Sequence, residues 1–238
     1  MQSPSTGVEN TFSRAWTLLT SNWIIVVPGL IIGVIVGIVD YLVTPHTDAG
    51  GVVGGMASAG AGLLVVIVNI IGEIVALCYV TGMAGAAWMK GKTELADGTV
   101  AFQRDAGNTL IAMIALFIVF VIAAILLIPT LTISIWLAIY FTIYTFASAI
   151  VGERPGFTAL AESFRIATKR VGPTLIIVVI IGVIAIVGGI LGGILSIVPF
   201  LGPIVAAVIT EVVLAYITLV IVGEYLALRE VSGIPPSP

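Results

Sequence analysis

Two carboxylates stand in stretches of sequence where almost nothing else ionises. Glu73 lies in GEIVA (72–76), one helical turn after Asn69, and Glu211 lies in TEVVL (210–214). Both fall inside long apolar runs, and a charged side chain at the centre of a bilayer costs about 2.5–3.5 kcal/mol on insertion scales. Two chemistries suit such groups. One is a proton or cation relay through the membrane. The other is polar glue, in which each acid hydrogen-bonds across a helix interface. No Lys or Arg falls at comparable depth, so neither acid has a counter-ion nearby. Each is expected to bond a backbone carbonyl, Asn69, or a hydroxyl of Tyr140, Thr142 or Tyr144. Glue needs only these local partners and is the expected use, because two acids make a short pathway.

Other reactive chemistry is sparse. The chain has one Cys, Cys78, and one His, His46 beside Asp48. A disulfide within the chain and a Cys/His metal cage are therefore excluded, and a nucleophile–His pair could form only through His46. Cys78 is expected to pack as a small apolar residue and His46 to sit in a solvated loop. No phosphate-cradling GxxxxGK[ST] sequence occurs. These absences point away from an enzyme and from any metal or cofactor.

The elements that hold the two acids follow from composition. Of 238 residues, 60% are hydrophobic and 9% charged, and mean hydropathy is +1.25. A soluble domain carries about a quarter of its residues as charges. Six apolar runs are long enough to cross a hydrocarbon core of about 30 Å as helices. They are 23–43, 62–88, 109–128, 131–151, 174–196 and 204–226. None alternates as a barrel strand would. The expectation is an all-α, polytopic membrane protein of six spans, folded as one domain over 1–238.

Charge then orients it. Arg14, Lys90, Lys92, Arg104, Arg154, Arg165, Lys169, Arg170 and Arg229 all fall before span 1, between spans 2 and 3, between 4 and 5, or after 6. The opposite connections, 44–61, 129–130 and 197–203, have no Lys or Arg. Positive-inside bias reads this as both termini cytoplasmic. No short core followed by a small-residue cleavage site precedes span 1, so no cleavable leader is expected. Four of the nine basic residues crowd into 152–172, where Phe157, Leu160, Phe164, Ala167 and Val171 recur at helical spacing. An interfacial helix is expected there, with Arg165, Lys169 and Arg170 facing headgroups.

The plan recurs along the chain. FSRAWTLLTSNWIIVV (12–27) resembles FRIATKRVGPTLIIVV (164–179), with Phe12 matched to Phe164 and Ala15 to Ala167. IVGE occurs at 150–153 and at 221–224. Three parallel units are expected, at about 8–90, 92–151 and 155–228, each an interfacial helix followed by a transmembrane hairpin. The outer loop 44–60 is glycine-rich and expected to be flexible. Gly29, Gly33 and Gly37 stand four apart, as do Gly188 and Gly192. Such spacing puts each series on one helix face for close packing.

IVGERPGFTALAESFRIATKR (150–170) adds a resemblance. A Glu at the end of a span (Glu153), an Ala-Leu pair (Ala159, Leu160), a Ser (Ser163) and basic residues before the next span (Lys169, Arg170) form a recurring signature. It is similar to one in the membrane domain of glycerophosphoryl diester phosphodiesterases and in related stand-alone six-helix proteins of bacteria and archaea. The resemblance implies a six-helix fold in a prokaryotic cytoplasmic membrane. It transfers no catalytic residues, since the phosphodiesterase domain is absent here. The function expected is a non-enzymatic membrane component, an accessory subunit or scaffold. Its partners would be membrane lipids and either other membrane subunits or a second copy of the chain, with no nucleic acid. The alternative is a small-solute or proton-coupled transporter using Glu73 and Glu211, which a water-accessible cavity at either acid would favour.

Overall fold

The computed structural model describes the backbone of residues 7–43, 52–127, 130, 133–195, 197 and 201–231. Within these, side chains at 40, 41, 43, 52–61, 63, 64, 201 and 203 are not described. His46 and Asp48 lie outside the described residues. The chain is all-α. In order come α1 (Val8–Ser21), a 3-10 turn (Trp23–Val26), α2 (Val27–Val43), α3 (Val52–Lys90) and α4 (Leu95–Ile125). There follow α5 (Ile133–Thr142), α6 (Thr145–Ile150), α7 (Gly156–Lys169), α8 (Val171–Leu195) and α9 (Leu201–Val231).

Five segments are long and apolar enough to cross a membrane: Val65–Lys90, Leu95–Ile125, Ile133–Ile150, Val171–Leu195 and Ile204–Val231. A sixth qualifies only when α1 and Trp23–Val39, bent by 88°, are counted together. The expected first span, 23–43, is a hybrid. The 17 residues of α2 rise only about 26 Å, and the preceding 3-10 turn adds about 8 Å. The protein is a polytopic helical membrane protein.

Burial concentrates at one end of the bundle. Leu18, Leu19, Ile25, Met83, Tyr144, Ile166, Leu219 and Tyr225 form the main core, and Cys78, Ala101, Ala112, Ile150 and Ala159 a second. Toward the other end the spans stay bare: Val183, Ile186, Val187, Ile190 and Ile194 of α8 are all exposed. Apolar side chains facing lipid lose nothing by that exposure.

Four expectations about elements change. In the middle unit there is no separate interfacial helix at 92–108. A capping box between Glu94 and Asp97 starts α4, which runs unbroken into its span. Its buried face, Gly98, Ala101, Asp105, Thr109 and Ala112, keeps helical spacing across the junction, so nothing turns the chain. The loop expected at 44–60 is shorter, because residues 52–60 already belong to α3. The expected span 131–151 is broken between Thr142 and Thr145.

The fourth change concerns α1 and α7. Both have 14 residues, and both end at a residue of nearly the same backbone geometry, Asn22 (φ −133°, ψ 55°) and Arg170 (φ −126°, ψ 55°). Their buried faces correspond as Thr11 to Ala159, Ala15 to Ser163, Leu18 to Ile166 and Leu19 to Ala167. The sequence match at Phe12/Phe164 is one helical turn out of this register. The buried pairs Ile25/Ile177 and Val26/Val178 do keep the sequence match. The chain therefore carries one more helical turn between α7 and Ile177 than between α1 and Ile25. On α7 the inward stripe holds small residues and Glu162, while Phe157 and Phe164 face outward.

Candidate functional site

Glu73 from α3 and Glu211 from α9 share one cavity of about 240 Å³. Asn69, Gly29, Gly33 and Thr218 also line it. Gly29 is bare for a reason: a Cβ there would collide with the Glu211 carboxylate. Gly72 lets α3 close on Ile32 and Val36 of α2 beside the acids. A 138-residue gap in sequence is closed by α3 packing directly against α9, with α2 beside both.

The partners expected for these acids bond elsewhere. Asn69 donates to Val65 O of its own helix at 2.8 Å. Tyr140 donates to Ala167 O at 2.8 Å, tying α5 to the end of α7. Thr142 donates to Ala138 O at 2.6 Å, and Tyr144 to Thr174 at 3.4 Å. Among the described residues, neither Glu73 nor Glu211 makes a hydrogen bond or an ion pair. Glu73 and Asn69 are exposed on α3, and Glu211 is half-buried. As polar glue within the chain, the two acids bond nothing.

The glycine faces divide. Gly33 and Gly37 meet open space, so they do not pack inside the chain as expected. Gly188 faces Val213 at a distance that leaves room for a Cβ, and Gly192 only approaches Thr210. Of the expected packing glycines, Gly29 alone is required by a close neighbour.

Buried polar chemistry sits instead at the other end of the spans, on Glu162, Glu224 and Asn22, none of which the sequence singled out as a site. Glu162 on α7 is 5% exposed. It accepts Arg154 Nε at 2.9 Å and the Tyr225 hydroxyl at 2.6 Å, with Arg229 Nε at 3.9 Å. Glu224, 3% exposed, accepts the Thr11 hydroxyl at 2.9 Å and joins α9 to α1. Asn22 caps Leu18 O at 2.9 Å while its Oδ1 accepts Thr93 N–H at 3.0 Å. The one signal for Glu162 was its place on the Ala159–Ile166 face, which the Phe stripe of α7 masked. Thr11 and Glu224, 213 positions apart, gave none.

The basic residues also sort themselves. Arg165 and Lys169 are exposed and, among the described residues, make no ion pair. Arg170 is half-buried and donates to Val231 O at 3.0 Å, so it caps the end of α9 instead of reaching outward. The signature residues have structural work. Glu153 takes a left-handed φ of 52° and pairs with Arg104. Ala159 packs in the second core. Ser163 donates to Phe141 O at 2.7 Å and accepts Tyr144 N–H at 3.2 Å. One hydroxyl therefore satisfies both sides of the α5/α6 break, which a bilayer would otherwise leave unbonded.

Comparison with known proteins returns no match to a family model, a curated protein or a solved structure. Among the described residues no group of three or more His, Cys, Asp or Glu could hold a metal ion. What the site offers is two acids without a cation, on a cavity flanked by bare glycine backbone.

Proposed function

We propose that the chain is a non-enzymatic membrane component that holds lipid and a partner transmembrane helix. The observation that carries this is the outward face made by Asn69 and Glu73 with Gly33 and Gly37 of α2. A carboxylate at membrane depth that bonds nothing among the described residues of its own chain calls for a partner outside it. Bare glycine backbone beside them admits a second helix closely. A photo-reactive residue in place of Ile70, exposed next to Asn69, should give a discrete protein adduct in membranes. The same residue at Ile190 of α8 should give only lipid adducts. The adduct at 70 should vanish in Glu73→Leu. Lipid adducts alone at both positions would end this reading.

The second reading is proton- or cation-coupled transport through Glu73 and Glu211. It is favoured by the shared cavity reaching both acids. Reconstituted vesicles would then acidify with wild-type protein and stay neutral with the Glu73→Gln, Glu211→Gln double variant. Equal proton flux in both excludes it.

We place the protein in a prokaryotic cytoplasmic membrane with both termini inside. Supporting this, Arg14 meets Trp88, Arg104 meets Glu153, and Arg170 meets Val231, so three basic residues, from α1, α4 and the end of α7, each meet a residue near or just past the end of another helix. We also read the chain as built of hairpin units, on the matched lengths, caps and buried faces of α1 and α7. We also propose kinship with the phosphodiesterase membrane domain, on the sequence signature of Glu153, Ala159, Leu160, Ser163, Lys169 and Arg170.

A further inference from the structure

Between α5 and α8 the bundle opens into a groove of about 610 Å³. Its walls are apolar, with Ile133, Leu137 and Phe141 from α5 facing Leu175, Val178 and Val179 from α8. At one end the Trp136 ring lies over Gly182, 3.4 Å from where a Cβ would stand. The other end opens at Thr168 and Val171, beside the α7–α8 junction. From Val171 to Val179 a helix rises about 12 Å, which sets the groove's length.

The walls select the occupant. Apolar side chains on both sides of a slot between two spans suit an extended hydrocarbon chain. The mouth supplies the headgroup chemistry. Arg165, Thr168 and Lys169 stand at i, i+3 and i+4 on α7 and share one face. Thr168 lines the groove, and its hydroxyl is bonded to its own helix at Phe164 O. Arg165 and Lys169 stand to one side of it on α7, exposed and without an ion pair among the described residues, and Arg165 also borders a pocket with Arg154 and Glu162. Two exposed cations on the helix at the open end of an apolar slot are complementary to a phosphate attached to an acyl chain.

We infer that the α5/α8 groove holds one acyl chain of an anionic glycerophospholipid, with its phosphate between Arg165 and Lys169. This rests on the lipid-binding part of the proposed function and names the lipid. Trp136 closes the deep end, and the Phe141–Phe164 stack, with ring centroids 4.8 Å apart, joins groove wall to interfacial helix. The lipid would thereby fix α7 against α5 and α8.

The test uses full-length protein, delipidated in non-ionic detergent and titrated with phosphatidylglycerol or phosphatidylcholine of matched chains, read by native mass spectrometry. Wild type should bind one phosphatidylglycerol about 25-fold more tightly than phosphatidylcholine, at roughly five-fold per basic residue. The Arg165→Gln, Lys169→Gln pair should remove that preference and leave phosphatidylcholine binding unchanged. Leu175→Trp and Val179→Trp, both at exposed groove positions, should abolish the bound lipid whatever its headgroup. Equal binding of the two lipids by wild type overturns the inference, as does undiminished phosphatidylglycerol binding by the folded groove-filling variants. If those variants fail to fold, the Gln pair decides alone, since it alters no buried side chain. No headgroup preference in wild type, with the Ile70 adduct intact, would reject this site and leave the partner-helix reading standing.

Discussion

The Glu211 carboxylate of α9 rests on the bare α-carbon of Gly29 in α2. That contact admits an acid to the cavity it shares with Glu73, and only glycine permits it. The atom in the way is the end of a flexible side chain, so Gly29→Ala should cost the fold less than about 1 kcal/mol while turning the carboxylate aside. A carbodiimide reporter of Glu211 should change its labelling rate in Gly29→Ala. Gly33→Ala and Gly37→Ala, which face open space, should leave the rate unchanged. An unaltered rate in Gly29→Ala would show that the contact does not position the acid.

At Gly223 the obstacle is rigid. A Cβ there would run into the Trp88 ring, which is held by its Nε1–H bond to Leu219 O at 2.8 Å and by Arg14 lying 4.7 Å over the ring. Gly223→Ala should therefore cost about 1–3 kcal/mol by overpacking. Thermal unfolding in detergent checks it, and Trp88→Leu should restore much of the loss. A neutral Gly223→Ala would mean the ring moves freely.

Glu162 should be the least replaceable carboxylate. Removing its charge takes away the carboxylate that both Arg154 and Arg229 approach, and their side chains are only 17% and 13% exposed. Breaking one member of a buried ion network costs about 3–5 kcal/mol. Glu162→Gln should destabilise by that order, while Glu73→Gln, which breaks no bond among the described residues, should stay within about 1 kcal/mol of wild type. Denaturation of the two variants side by side reads the difference. Equal stabilities would remove Glu162 from the centre of the fold.

Ser163→Ala should expose the break between α5 and α6. The hydroxyl serves Phe141 O and Tyr144 N–H together, so its loss leaves one buried acceptor and one buried donor without it. A penalty of about 1–3 kcal/mol is expected. Amide exchange at Tyr144 should speed up in the variant while exchange in α8 stays the same. Unchanged exchange at Tyr144 would show that the break is held by packing alone.

The sequence by itself determined the class and the spans. Long uncharged runs can bury their backbone polar groups in lipid only as helices, so 174–196 and 204–226 were legible as α8 and α9 without any knowledge of their neighbours. The short amphipathic helix at Gly156–Lys169 was legible for the same reason, because helical periodicity is a local property. Which face of it turned inward was not. Phe157 and Phe164 are the larger apolar groups, yet in a bilayer lipid solvates them as well as a protein core does, so hydrophobicity ceases to mark the inside. What turned inward was Ala159, Glu162, Ser163 and Ile166, chosen by close packing and by hydrogen bonds to Phe141, Tyr144, Arg154 and Tyr225.

The same physics separates the two sets of acids. Sequence ranked Glu73 and Glu211 first because depth in an apolar run is read along the chain, and tertiary structure brought them to one cavity. It could not rank Glu162 or Glu224, because their environment is made by residues 63 and 213 positions away. A carboxylate's environment is the sum of what surrounds it in space. Only the packing of α1, α7 and α9 decided which acids are bonded and which stand open.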